Sequence, residues 1–121
     1  DLQILAEVHD CWLNMLHLHG SDVMFSTFCD YPVQVINWHD QETYPSLQEG
    51  QALFPGVVCG GVSRASSLVL GTPEKINMEA QQAIEVTGGR RLILGTGCVA
   101  PITTPYGNLM ALRQSVETPG K

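Results

Sequence analysis

Residues 72–95, TPEKINMEAQQAIEVTGGRRLILG, contain one helix-to-strand unit in which both ends of the helix are signalled. Thr72 is the expected N-cap, Pro73 takes the first helical position where no N–H is needed, and Glu74 puts a negative charge at the positive end of the helix dipole. Ile76, Ala80, Ala83 and Ile84 recur at helical spacing, with Val86 as a further candidate for the same apolar face. Gly88-Gly89 stops the helix, and Arg91-Leu92-Ile93-Leu94-Gly95 follows as a short apolar strand.

The same alternation extends in both directions. After the strand, Thr104-Pro105 opens a helix whose buried face is expected at Leu109, Leu112 and Val116. Before residue 72, Gly56-Val57-Val58-Cys59-Gly60 reads as a strand, and Leu47 to Phe54 reads as a weak helix interrupted by Gly50. Val33-Gln34-Val35-Ile36-Asn37-Trp38 is a β-branched strand opening after Pro32. Ser21 to Cys29 is a short helix with Ser21 as its cap, and Trp12-Leu13-Asn14-Met15-Leu16 is a buried strand ending in His17-Leu18-His19-Gly20. Residues Asp1 to Val8 read as a helix already under way, without a cap or an initiator methionine.

Four strand–helix repeats with crossovers of this length predict an α/β fold of four parallel β/α units. That is half of a (β/α)₈ TIM barrel, which needs about 250 residues to close. Residues 1–121 are therefore expected to be a single domain that is the C-terminal half of such a barrel, cut from a longer parent. Self-association through the open barrel edges, or pairing with the missing N-terminal half, is expected.

Composition narrows the function. Six Lys and Arg stand against twelve Asp and Glu, a net charge of −6, so there is no basic field to attract nucleic acid or anionic lipid. Hydrophobic residues make up 44% and charged residues only 15%, which excludes a disordered chain. The longest apolar runs, about six residues, are far short of the ~20 that span a bilayer, so a cytoplasmic location is expected. Cys11, Cys29, Cys59 and Cys98 are widely spaced without a CxxC pair, and are expected to be reduced.

In parallel α/β folds, reactive groups collect where strands end at their C-terminal rim. His17 and His19 are two residues apart on a strand, which turns both rings to one face. Cys98 follows the last strand in Gly95-Thr96-Gly97-Cys98. Two histidines and one cysteine make three ligands of the kind that leaves zinc an open fourth position. His39-Asp40, at the second strand end, reads as a solvated loop pair, or else as an acid/base pair or support for the ligands; Glu42 is similarly placed. Arg64, after the third strand, is the cation placed to hold a substrate carboxylate. Cys59, within a strand, reads as packing. Gly60-Gly61 and Gly88-Gly89 match no nucleotide-binding pattern.

Four segments together resemble the uroporphyrinogen decarboxylase superfamily: Leu16-His17-Leu18-His19-Gly20, Val35-Ile36-Asn37-Trp38-His39-Asp40, Leu70-Gly71-Thr72-Pro73-Glu74, and Gly97-Cys98 continuing through Thr104-Pro105-Tyr106-Gly107-Asn108-Leu109. They fall in the order and spacing of the C-terminal half of that family. The resemblance implies a (β/α)₈ barrel and two branches of activity. In the cobamide-dependent methyltransferase branch, a zinc site activates a thiol, and the matching ligands would be His17, His19 and Cys98. His19 stands where that branch has cysteine. A cobamide carried by a corrinoid protein would then be the partner, with a small methyl donor or thiol as substrate.

In the decarboxylase branch a histidine takes the position of Cys98, and uroporphyrinogen III loses carboxyl groups without metal or cofactor. The Arg and Asp of that branch lie in the N-terminal half. Gly107 also departs from the family's usual Glu. The resemblance therefore implies an enzymatic parent, a methyltransferase or alternatively a porphyrin-pathway carboxy-lyase, with His39, Asp40 and Cys98 as candidate catalytic residues. A non-catalytic binding fragment is the third reading. The isolated chain is expected to be inactive.

Overall fold

A computed structural model describes residues 1–117. Helix α1 (Leu2–Glu7) precedes strand β1 (Met15–Leu18), and α2 (Phe25–Phe28) leads to β2 (Val35–Trp38). Helix α3 (Leu47–Leu53) and β3 (Val57–Val62) follow. A π-helical segment, Arg64–Val69, then runs into α4 (Pro73–Thr87), β4 (Leu92–Thr96) and α5 (Tyr106–Gln114). The four strands form one parallel sheet in the order β1-β2-β3-β4, alternating with helices as a partial TIM barrel.

The helix-facing side of the sheet holds the core. Leu18, Ile36, Trp38 and Val58 pack against Phe25, Leu47, Phe54 and Ala83. Trp38 is wholly buried; its indole N–H donates to the Pro45 carbonyl at 2.8 Å, and its ring lies 4.6 Å from that of Phe25. Gly50 weakens α3 by propensity, yet a Cβ there would stand 2.5 Å from the Trp38 ring, so packing requires the glycine. A capping box offsets it: Ser46 accepts from the Glu49 N–H while the Glu49 carboxylate accepts from the Ser46 N–H.

Helix α4 is as the sequence predicts, capped by the Thr72 hydroxyl, begun at Pro73 and stopped by Gly88 in the left-handed region. Ile76, Ala80 and Ala83 are buried, joined by Thr87, whose hydroxyl donates to the Ala83 carbonyl.

Three boundaries differ from expectation. Trp12 does not enter β1 and is 90% exposed. Pairing with β2 starts at Met15, and Asn14 binds the Gln34 side chain and the Val8 carbonyl just before it. The Ser21–Cys29 helix shrinks to one turn that Ser21 does not cap. Ser21 instead gives its carbonyl to the Thr43 hydroxyl, and Met24 turns the chain through a left-handed residue. In α5 the buried face is Asn108, Ala111 and Ser115, while Leu109 and Val116 are exposed. The Asn108 amide donates to the carbonyls of Leu68 and Gly71, at 2.9 and 3.0 Å, and so sets the helix rotation. Leu68, Ile76 and Ala111 pack beneath it with Leu112.

Candidate metal site

The C-terminal ends of β1 and β2 and the loop after β4 meet on the face of the sheet opposite the core. His17 and His19 share that face, their ring centroids 5.9 Å apart. The parallel register pairs His17 with Asn37 and Leu18 with Trp38, which carries His39 alongside His19. The His39 Nε2 lies 3.2 Å from the His19 Nδ1. Beyond Thr96 the chain crosses the top of β3, and Gly97 passes so close to β2 that a Cβ would stand 2.5 Å from the Trp38 carbonyl oxygen. This crossing brings the Cys98 Sγ to 3.9 Å from the His19 Nδ1.

His17, His19, His39 and Cys98 thus each offer one donor atom, all within 4.8 Å of one another. Tetrahedral zinc with ordinary Zn–N and Zn–S bonds implies N···N and N···S edges of about 3.3 and 3.6 Å. The 3.2 Å N···N separation matches its edge, the 3.9 Å N···S separation is slightly longer than its own, and the donor types are those zinc selects, so the residues fit the metal.

Polar neighbours hold the rings. The Asn37 Oδ1 is 2.6 Å from the His17 Nδ1, and the Glu42 carboxylate is 3.2 Å from the His39 Nδ1. Glu42 in turn pairs with the Arg64 Nε at 3.7 Å. The His17 and His39 rings are thereby engaged on Nδ1, leaving Nε2 available, as outer-shell partners do for ligating histidines.

The three ligands expected from the sequence come together, and His39 joins them. Its ring is only 5% exposed, so the reading of His39-Asp40 as a solvated loop pair is corrected. The clue to a fourth donor is the strand register, which places His39 beside His19 and exists only once the sheet forms. Arg64 opens the π-helical segment; its Nη atoms have no partner among the described residues. Cys59 is buried, as expected for packing, and burial pushes its thiol up. All four cysteines are unpaired.

Asp40 lies outside this group. Its carboxylate is buried, with Oδ2 accepting from the Gly61 N–H at 3.0 Å and the Gln41 side chain at 2.8 Å. Oδ1 has no hydrogen-bond partner, and it occupies space that any side chain at Gly60 would fill. Burial pushes the Asp40 carboxyl above the ordinary carboxylate range; the Gln41 and Gly61 hydrogen bonds oppose this, and the charge of Glu79 adds to it. The folded chain therefore holds this proton to higher pH than the unfolded chain does. Its contribution to stability falls as pH rises from about 4 through the folded-state value. Asp40→Asn, which keeps the acceptor for Gly61, should melt higher than the parent at pH 7, with the gap closing near pH 4. A gap that stays constant in thermal melts across this range would refute the assignment.

A sequence profile describing uroporphyrinogen decarboxylase (URO-D) matches residues 2–119, nearly the whole chain. The chain belongs to the uroporphyrinogen decarboxylase family. Among solved structures, a methyltransferase from Methanosarcina mazei resembles this URO-D family chain with a TM-score of 0.77 at 28% sequence identity. The alignment covers 96% of this chain and 34% of the methyltransferase, so the chain spans about a third of that protein's length. No curated protein gives a significant match. Among the described residues, no helix is long and apolar enough to cross a membrane.

Proposed function

We propose that this chain carries the zinc site of a methyltransferase that passes a methyl group from a cobamide to a thiol. Residues 1–121 act in it as one domain, the C-terminal part of a URO-D-type barrel. The observation that carries this reading is the convergence of His17, His19, His39 and Cys98 on one small volume. These four residues would hold the resting ion, with His39 completing the set that His17, His19 and Cys98 begin, and a substrate thiol would reach the zinc by displacing one of them. The chemistry zinc would supply there is to let a bound substrate thiol lose its proton near neutral pH and become a nucleophile.

The remaining residues bind and orient. Glu42 fixes the His39 ring, and Arg64 braces Glu42 while keeping two N–H-bearing nitrogens for an anionic group on the substrate. Asp40 acts through the backbone beside it, tying the end of β2 to Gly61 on β3. A corrinoid protein is the partner that would present the methyl group.

Methyl transfer from a methylated cobamide to a thiol, abolished by a chelator and restored by zinc, is the expected result for the whole protein. Uroporphyrinogen turnover that survives the chelator would assign it to the metal-free carboxy-lyases instead. A protein with neither activity would be a binding module. Arg64→Gln should raise the KM for an anionic thiol about ten- to a hundredfold, the worth of one charged hydrogen bond, with kcat nearly unchanged. An equal loss in kcat would remove Arg64 from substrate binding.

A further inference from the structure

Asn37 belongs to no motif for metal or acid/base chemistry, yet it is the only side chain among the described residues that hydrogen-bonds to three strands or their ends. It sits on the site-facing side of β2 and is 8% exposed. Its Nδ2 donates to the Cys59 carbonyl on β3 at 2.9 Å and to the Thr96 carbonyl at the end of β4 at 3.0 Å. Its Oδ1 meets the His17 Nδ1 on β1 at 2.6 Å.

The donor count settles the orientation. A primary amide has two N–H donors, and both are taken by backbone carbonyls, which only accept. Turning the amide over would set its oxygen against two carbonyl oxygens. The atom facing His17 is therefore an acceptor, and the His17 Nδ1 must carry the hydrogen between them. A neutral imidazole protonated on Nδ1 has its lone pair on Nε2.

We infer that Asn37 is a positioning residue that locks His17 in the Nδ1–H tautomer, so that Nε2 is preset as the donor turned to the metal group. The inference rests on the zinc reading above for its purpose, though not for the tautomer itself. Through Thr96, two residues before Cys98, the same amide ties the His17 ring to the loop that delivers the thiol. One side chain thus sets two members of the donor group against each other. Aspartate would offer no donors to the two carbonyls, and alanine would offer nothing to either side.

The test begins with the unsubstituted full chain, metal-free and ¹⁵N-labelled at histidine, at a pH where the imidazoles are neutral. Ring-nitrogen correlation spectra should show His17 as the Nδ1–H form; an Nε2–H ring would overturn the inference. In folded Asn37→Ala the ring should lose that preference, and zinc affinity measured by chelator competition should fall about 10–100-fold, as for loss of an outer-shell partner. Unchanged zinc affinity in the folded variant would also overturn it. If the variant does not fold, the spectrum of the unsubstituted chain decides alone. A chain that shows the Nδ1–H ring but binds no zinc would refute the metal site while upholding the lock on His17.

Discussion

Replacing Cys98 by serine is expected to empty the metal site while leaving the fold intact. The purified chain should contain about one zinc by elemental analysis, and Cys98→Ser close to none. A thiolate is the soft, charged member of the donor group, whereas a serine hydroxyl keeps its proton near neutral pH and binds zinc poorly. The loss in affinity should exceed the 10–100-fold that follows removal of an outer-shell partner, because a ligand bond itself is lost. The thiol is half-buried at the rim, and its side-chain contact is with His19, so the metal-free variant should have a stability within about 0.5 kcal/mol of its parent. Cys11→Ser, at an exposed cysteine outside the donor group, should leave zinc content unchanged. Full zinc occupancy in Cys98→Ser would mean that the three histidines hold the ion without the thiol.

Gly97→Ala should damage both the fold and the site. An added Cβ would stand 2.5 Å from the Trp38 carbonyl oxygen and 2.7 Å from the His39 Cα. Both are backbone atoms at the end of a buried strand, so neither can swing aside as the tip of a side chain would. The expected cost is that of overpacking, about 1–3 kcal/mol or somewhat more, visible as a drop of several degrees in Tm. Relief requires the loop to lift from β2. That movement carries Cys98 away from His19, so zinc affinity should fall as well. Gly107→Ala is the contrast: nothing lies within 4 Å of its Cβ position in the first turn of α5, and the change should be neutral or stabilise by up to about 1 kcal/mol. Equal melting temperatures for Gly97→Ala and the parent would show that the loop does not depend on this close approach.

Much of the architecture was legible because it rests on local rules. Helix α4 has its hydroxyl cap, its proline, its acidic first turn and its glycine stop within seventeen consecutive residues, Thr72 to Gly88, and each acts without help from distant chain. The β-branched run before Trp38 and the apolar run after Arg91 became strands for the same reason. The errors came where one distant polar group outweighed local pattern. Leu109 and Val116 have the better apolar spacing, but Asn108 reaches the carbonyls of Leu68 and Gly71 and rotates α5 toward itself. Trp12 is apolar, but pairing with β2 begins only at Met15 and Trp12 is left 90% exposed.

For the site, residue type and position at a strand end were enough to nominate His17, His19 and Cys98. Asp40 and His39 are neighbours that read as one pair, and only the sheet separates them. Backbone alternation sends the His39 ring to the rim and the Asp40 carboxylate over Gly60, where a side chain would have excluded it.

The sequence by itself determined the alternating elements, the parallel sheet they imply, and the metal-capable chemistry of the residues at its rim. Those follow from capping, periodicity and side-chain donors, which act over a few residues. Only the tertiary structure decided that His39 stands beside His19, that Asn37 faces His17, and that Cys98 crosses to meet them. These depend on strand register and on the fit of Gly97 against β2, contacts between residues 20 to 80 positions apart whose energies no local pattern encodes.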